Sequence, residues 1–235
     1  MIYDDRKFAE VYNEAWASFS QKRAQFVLAA IKKRGSVLDV GCGSGNFLKV
    51  LEPHFESCVG FDASSAMVEI ARLNCRKSDI FEADVLNFDL QGRTFDLVTC
   101  NFDMINHLYD LAQYEVALCN IYRHIKDGGE FTFDFNTVYE LKYVGQDYIE
   151  ECGDYTKIYH ETRVDKEHID IRMTVIDKRT NDTVVEVTQR ESLFKAEEIE
   201  ALLKKIGFKT VEFCECDFSP AKTLEQERLY CRCVK

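Results

Sequence analysis

Three glycines at alternate positions, Gly41, Gly43 and Gly45, follow Val37-Leu38-Asp39-Val40 and precede Phe47-Leu48-Lys49-Val50-Leu51. That order reads as strand, tight loop, helix start. Glycine reaches backbone conformations that other residues avoid and lets N–H groups come close to a ligand. The helix start adds unpaired N–H groups. Such a turn is a seat for a small molecule. Asp62 closes a second apolar stretch, Cys58-Val59-Gly60-Phe61, about 20 residues on, where an acid can take ribose hydroxyls. A carboxylate suits two vicinal hydroxyls because it offers two acceptor oxygens. Asp84 ends the next short stretch and can accept from the exocyclic amine of a purine. Met67 can lay its thioether on an aromatic ring. A single strand-end acid can be a solvated cap, but two in register with a glycine loop argue for a ligand.

These residues need a scaffold that holds them on one rim. Short apolar runs ending at Asp39-Val40, Asp62, Asp84, Cys100 and Phe135 alternate with helical stretches at Ala66–Arg72 and Leu111–His124. Strands alternating with helices imply a parallel sheet covered on both faces, with ligands beyond the carboxyl ends of its strands. The glycine loop, Asp62, Asp84, Asn101 and Asp134 then share that rim. Residues from about Asp5 to Lys33 read as helix with an aromatic stripe (Phe8, Val11, Tyr12, Ala15, Trp16 and Phe19) that packs on the core or closes over a pocket. After about Thr137 the pattern changes to period two: Ile158, His160, Thr162; then Ile169, Ile171, Met173, Val175; then Val185, Val187. This predicts an inserted antiparallel sheet of three strands with one wet face. A helix over Ala196–Ile206 and strands over Phe208–Phe218 and Arg228–Val234 close the chain. The fold class expected is α/β: a doubly wound, mostly parallel sheet formed by residues 1–136 and 195–235, with the antiparallel sheet inserted at 137–194.

The 235 residues are 46% hydrophobic and 30% charged, as in ordinary globular proteins, and carry a net charge of −11. That charge argues against a nucleic-acid partner. No apolar run spans a bilayer, and Met1–Arg6 lacks the apolar core of a signal peptide, so a cytoplasmic protein is expected. The ten cysteines are scattered through strands and helices and read as reduced thiols. Cys214-x-Cys216 and Cys231-x-Cys233 put paired thiols on one strand face, where they serve as small apolar residues. No metal is expected.

The glycine spacing separates two ligand classes. Dinucleotide binders carry a further glycine where Asn46 stands, which disfavours a nicotinamide reductase. Val37-Leu38-Asp39-Val40-Gly41-Cys42-Gly43-Ser44-Gly45 resembles the first motif of class I S-adenosylmethionine-dependent methyltransferases. Val59-Gly60-Phe61-Asp62-Ala63-Ser64 with Met67 is similar to the second. Ala83-Asp84-Val85, Phe95-Asp96-Leu97-Val98 and Ile125-Lys126-Asp127-Gly128-Gly129 match the segments that follow. The likeness covers about residues 35 to 136. It implies a last strand antiparallel to the rest, and S-adenosylmethionine as cofactor. Gly41 and Gly43 would then approach the methionine part, Asp62 would hold the ribose, and Asp84 and Val85 would meet the adenine, with Asp39, Gly45, Ala63 and Met67 also among the cofactor-binding residues. Asn101 and Phe102 would flank the cofactor after the fourth strand, and Lys22 or Arg23 would meet its carboxylate.

The segment Asn101–Leu108 resembles the one that faces the transferring methyl group in small-molecule members, where Asp103 and His107 can orient or deprotonate an acceptor. Methyl transfer from a sulfonium is an in-line displacement, in which positioning can supply most of the catalysis. The N-terminal helix and inserted sheet resemble the substrate cover of glycine and amino-sugar N-methyltransferases. Tyr12, Trp16, Asn106, His160, Arg172 and Arg190 are the substrate candidates. The function expected is N- or O-methylation of a small molecule. The alternatives are a methyltransferase acting on RNA or protein, marked by a basic groove, and a non-catalytic cofactor-binding module, marked by a blocked pocket.

Overall fold

The computed structural model describes residues 5–235; Met1–Asp4, part of the charged N-terminal stretch, lie outside the described residues. The order of elements is α1 (Arg6–Ala15), α2 (Ala17–Ala30), β1 (Ser36–Val40), α3 (Asn46–Leu51), β2 (Ser57–Asp62), α4 (Ser65–Asn74), β3 (Asp79–Glu82), β4 (Phe95–Cys100), α5 (Leu111–Arg123), β5 (Ile125–Asn136), β6 (Asp147–Cys152), β7 (Tyr155–Arg163), β8 (His168–Asp177), β9 (Asp182–Ser192), α6 (Ala196–Ile206), β10 (Thr210–Cys214) and β11 (Arg228–Val234).

Seven strands form one sheet in the order β10-β11-β5-β4-β1-β2-β3. β11 runs antiparallel to both its neighbours, while β1 pairs in parallel with β2 and β4. The strand order reverses between β1 and β4, so a crevice opens beyond their carboxyl ends. Helices on both faces bury the middle of the sheet, and Val37, Leu38, Leu97, Val98, Phe131 and Phe133 are fully buried. This buried register explains why these strands read as unbroken apolar runs.

The second sheet has four strands, not the three expected, in the order β6-β7-β8-β9. The missed strand is β6. It lies at the sheet's edge, Tyr148 and Ile149 are exposed on it, and Glu150-Glu151 break the alternation that marked the others. The N-terminal helix is also corrected. Trp16 leaves the helical region at φ −109° and ψ 2° and divides α1 from α2. Asp5 caps α1 by accepting from the Lys7 and Phe8 amides at 2.7 and 3.1 Å. β5 begins earlier than expected, at Ile125, and β10 is shorter, Thr210–Cys214.

Candidate active site

The glycine turn takes its shape from β1. Gly41, Gly43 and Gly45 all have positive φ, at 66, 53 and 80°. At Gly41 a side chain is excluded twice, since a Cβ would lie 2.5 Å from Met104 Cγ. Gly45 starts α3 instead of facing ligand, and its Cβ would strike Cys75 Sγ at 2.8 Å. Asn46 donates from Nδ2 to Asn13 O at 2.7 Å and thereby ties the turn to α1. Asp62 accepts from the Gly43 amide at 2.8 Å through one oxygen and from the Ser64 amide at 2.9 Å through the other. Ser64 caps α4 by accepting from the Met67 amide at 3.1 Å.

The loop after β4 is bent sharply. Phe102 and Asp103 adopt left-handed conformations at φ 62 and 51°, costly for residues with side chains. Asp134, buried at the end of β5, holds them there by accepting from their amides at 2.7 and 3.1 Å. Burial raises the Asp134 carboxyl above the usual range, against the pull of Arg228 and Arg23. Arg228 on β11 pairs with Asp103 and donates to Asn136 Oδ1 at 2.9 Å.

These elements enclose one cavity of about 1050 Å³ beyond the ends of β1, β2 and β4, roofed by the four-stranded sheet and flanked by α1. The structure brings Gly41, Gly43, Asp62, Ala63, Met67, Asp84, Val85, Asn101 and Phe102 onto its lower wall. Tyr12, Trp16, Asp103, His107 and Arg190 line it as well. Tyr12 and Trp16 are stacked with ring centroids 4.8 Å apart. Desolvation holds the His107 imidazole below its usual range, with Asp103 opposing.

Other sequence candidates lie behind the cavity wall or away from it. Asp39 is buried below the rim, where Thr99 Oγ1 donates to its carboxylate at 2.7 Å. Lys22 is exposed, with its ammonium 5.9 Å from the Phe26 ring centre. Arg23 is buried between the Phe218 and Tyr230 rings and donates to Asn101 Oδ1 at 3.1 Å. Asn106 is a structural clasp: its amide donates to Asn136 O at 2.8 Å and Ser192 O at 2.7 Å. His160 and Arg172 line a separate shallow depression with Asp170 and Thr188. Both sit on the wet face of the second sheet, because alternation alone does not say which face meets the cavity. Arg190 spends its guanidinium on Asp170 at 2.7 and 2.9 Å.

Residues not singled out from the sequence complete the site. Lys157, buried on β7, pairs with Glu150 at 2.6 Å and lies 4.1 Å above the Trp16 ring centre. Glu140, Tyr159, Glu161 and Glu191 also line the cavity. Asp103, His107 and Glu191 bring donor atoms within 4.8 Å of one another. Burial raises the Glu191 carboxyl well above the usual range, with Asp103 adding to it, and Arg228 already pairs with Asp103. The cluster thus holds a proton and a cation of its own, which opposes a metal ion. Cys231 and Cys233 lie buried side by side at 3.5 Å within the core, as their period-two spacing predicts.

The polar inventory tests the expected cofactor. Arg23 Nη2 and Asn101 Nδ2 are buried donors with no hydrogen-bond partner among the described residues. A carboxylate bound beside Asn101 would satisfy them, as the methionine end of S-adenosylmethionine can. The cofactor therefore fits the residues present.

Residues 8–212 match the family model described as a methyltransferase domain. The chain belongs to that family. This methyltransferase is 30% identical over 186 residues to the dTDP-3-amino-3,6-dideoxy-alpha-D-glucopyranose N,N-dimethyltransferase of Streptomyces fradiae, covering 77% of this chain and 72% of the relative. It shares the fold of an S-adenosylmethionine-dependent methyltransferase from Clostridium acetobutylicum, with a TM-score of 0.84, 22% identity and 97% of each chain covered. It also shares that of an S-adenosylmethionine-bound amino pentose methyltransferase from Micromonospora echinaspora, with a TM-score of 0.73, 23% identity and coverage of 96% and 94%. The protein is an S-adenosylmethionine-dependent methyltransferase of class I. No described helix is long and apolar enough to cross a membrane.

Proposed function

We propose that this methyltransferase methylates the nitrogen of a small amine held beneath the four-stranded sheet, with residues 1–136 and 195–235 carrying the cofactor and 137–194 covering the acceptor. The observation that carries this reading is the single cavity in which Gly41, Gly43, Asp62 and Asp84 share walls with Asp103, His107 and Glu191. The names of the relatives from Streptomyces fradiae and Saccharopolyspora spinosa, both amino-sugar N,N-dimethyltransferases, support a small amine.

When bound, S-adenosylmethionine supplies an electrophilic methyl group on a sulfonium. Asp62 would accept from the ribose hydroxyls, Asp84 and Val85 would meet the adenine, and Asn101 with Arg23 would meet the carboxylate. The acceptor nitrogen must arrive with a free lone pair. In taking that methyl group the nitrogen would take on the positive charge and would have a proton to give up. His107, kept neutral by desolvation, can take the proton released there. Tyr12 and Trp16 exclude water from the reacting centre and fix the acceptor's approach. The acidic wall of the acceptor half counts against RNA, whose phosphates need clustered Lys and Arg.

The test uses methyl-labelled S-adenosylmethionine with a panel of small amines, alcohols, RNA and protein. A labelled amine and one equivalent of S-adenosylhomocysteine are expected. Label confined to RNA, to protein or to oxygen acceptors would overturn the assignment, as would failure of S-adenosylhomocysteine to bind in calorimetry.

A further inference from the structure

Glu140, on the turn after β5, and Glu161, on β7, both line the acceptor half of the cavity and share a hydrogen bond. Two carboxyl groups in contact cannot both stay ionised cheaply. Burial, with Glu140 adding to it, pushes Glu161 up to about 7. Glu161 Oε2 is shut off from solvent and has no hydrogen-bond partner among the described residues.

No base around the cavity forms an ion pair with these two acids, although the charge of Arg228 opposes the effect of burial on Glu140. Lys157 is taken by Glu150 at 2.6 Å, Arg190 by Asp170 at 2.7 Å, and Arg228 by Asp103. Lys142, on the same turn as Glu140, is taken by Glu227. The neighbouring wall is aromatic, with the Tyr12 and Trp16 stack and Tyr159. Carboxyl groups with no ion-pair partner of their own, beside ring faces, are how proteins receive an ammonium group. A phosphate entering here would meet acids and no unpaired base.

We propose that Glu140 and Glu161 form a seat for a protonated amine of the acceptor, separate from the nitrogen that is methylated, so that the acceptor is a free diamino or polyamino compound and not a phosphate-linked one. This rests on the reading of the cavity as an amine N-methylation site and narrows its substrate class. It also parts this methyltransferase from its Streptomyces fradiae relative, whose name carries a dTDP-linked sugar. An ammonium at the seat would release the proton the two carboxyls share and pair with both. The reacting nitrogen would stay neutral beside His107.

The experiment is calorimetry on the full chain saturated with S-adenosylhomocysteine, titrated with the diaminocyclitol deoxystreptamine, with glucosamine and with a thymidine-diphosphate-linked amino sugar. The diaminocyclitol is expected to bind at least about tenfold more tightly than glucosamine, and the nucleotide-linked sugar most weakly. The double variant Glu140→Gln, Glu161→Gln should lose that preference yet bind S-adenosylhomocysteine as before. It should melt close to the parent, because two glutamine amides can hydrogen-bond each other where the carboxyls shared a proton. Equal binding of the two free amines, a preference kept in the variant, or tightest binding of the nucleotide-linked sugar overturns the seat. Absence of S-adenosylhomocysteine binding would instead overturn the underlying reading.

Discussion

Asp62 and His107 line the same cavity but hold different things. Asp62 accepts from Gly43 and Ser64 and stands where ribose hydroxyls would bind, so removing it loses charge-assisted bonds worth about 1.5–3 kcal/mol each. Asp62→Ala should weaken S-adenosylhomocysteine binding roughly 100-fold in calorimetry, whereas His107→Ala should change it less than about threefold. Equal losses would mean that the roles are misassigned. Asp39 allows a second test. Burial pushes its carboxyl from 3.8 up to about 7. Over that interval the folded protein keeps a proton that the unfolded chain releases, so stability falls as pH rises, by up to roughly 1.4 kcal/mol per pH unit. Asp39→Asn removes the titrating group and should flatten the slope between about pH 4 and about pH 7 in urea unfolding. A slope equal to the parent's would show that Asp39 is ionised in the fold. Asp62 and Asp134 were legible in the sequence because the end of a strand fixes where its residue stands, and Asp84 because the turn just past β3 carries it to the same rim. Arg228 was not, because its partner Asp103 is distant in sequence and meets it only through the β5–β11 pairing.

Elements were legible in proportion to burial. β1, β4 and β5 are buried on both faces and read as apolar runs, whereas β6 is an exposed edge strand with no such pattern. The break at Trp16 is not legible in the sequence because the apolar stripe continues across it; what interrupts the helix is backbone geometry, not a glycine or proline. The face of an inserted strand that meets the cavity was equally hidden, which is why His160 and Arg172 were misplaced. The turn between β1 and α3 gives the test at this scale. Gly41→Ala would force a Cβ into a left-handed position 2.5 Å from Met104 Cγ. The backbone cost alone is about 1–2 kcal/mol. Met104 follows the strained pair Phe102–Asp103, so its displacement should carry into the acceptor wall. Gly41→Ala is therefore expected to lower the melting temperature and cofactor affinity together, while Gly145→Ala, where a Cβ meets open space, leaves affinity unchanged.

At the scale of the molecule, three bodies meet at the cavity: the sheet rim, α1 and the four-stranded roof. Asn106 and Ser192 clasp the roof to the rim, with Ser192 Oγ donating to Leu108 O at 2.6 Å. Tyr155 OH donates to Glu14 at 2.7 Å and links the roof to α1. Asn13 holds α1 to the glycine turn and α4 through Asn46 and Asn74, both at 2.7 Å. The links to α1 are few: beyond those of Asn13 and Glu14 near its C-terminal end there is an exposed pair of Arg6, at its start, with Glu69 of α4, and its other support is the aromatic packing of Phe8, Tyr12 and Trp16. A ligand touching Asp62, Asn101 and Tyr12 at once would join what these few bonds join now. S-adenosylhomocysteine at a hundredfold excess over its dissociation constant should therefore stabilise the fold by about 2.7 kcal/mol, raising the melting temperature by roughly 5–10 °C. If α1 is the loosest of the three bodies, its amides should gain more protection from hydrogen exchange on binding than those of β8, whose two flanking strands already pair it. Asn46→Ala cuts the bond from the glycine turn to α1, so in that variant the ligand should still protect the rim but protect α1 less. Equal protection of α1 in parent and variant would show that the aromatic stripe alone fixes the helix, and that the cavity closes without the asparagine clasp.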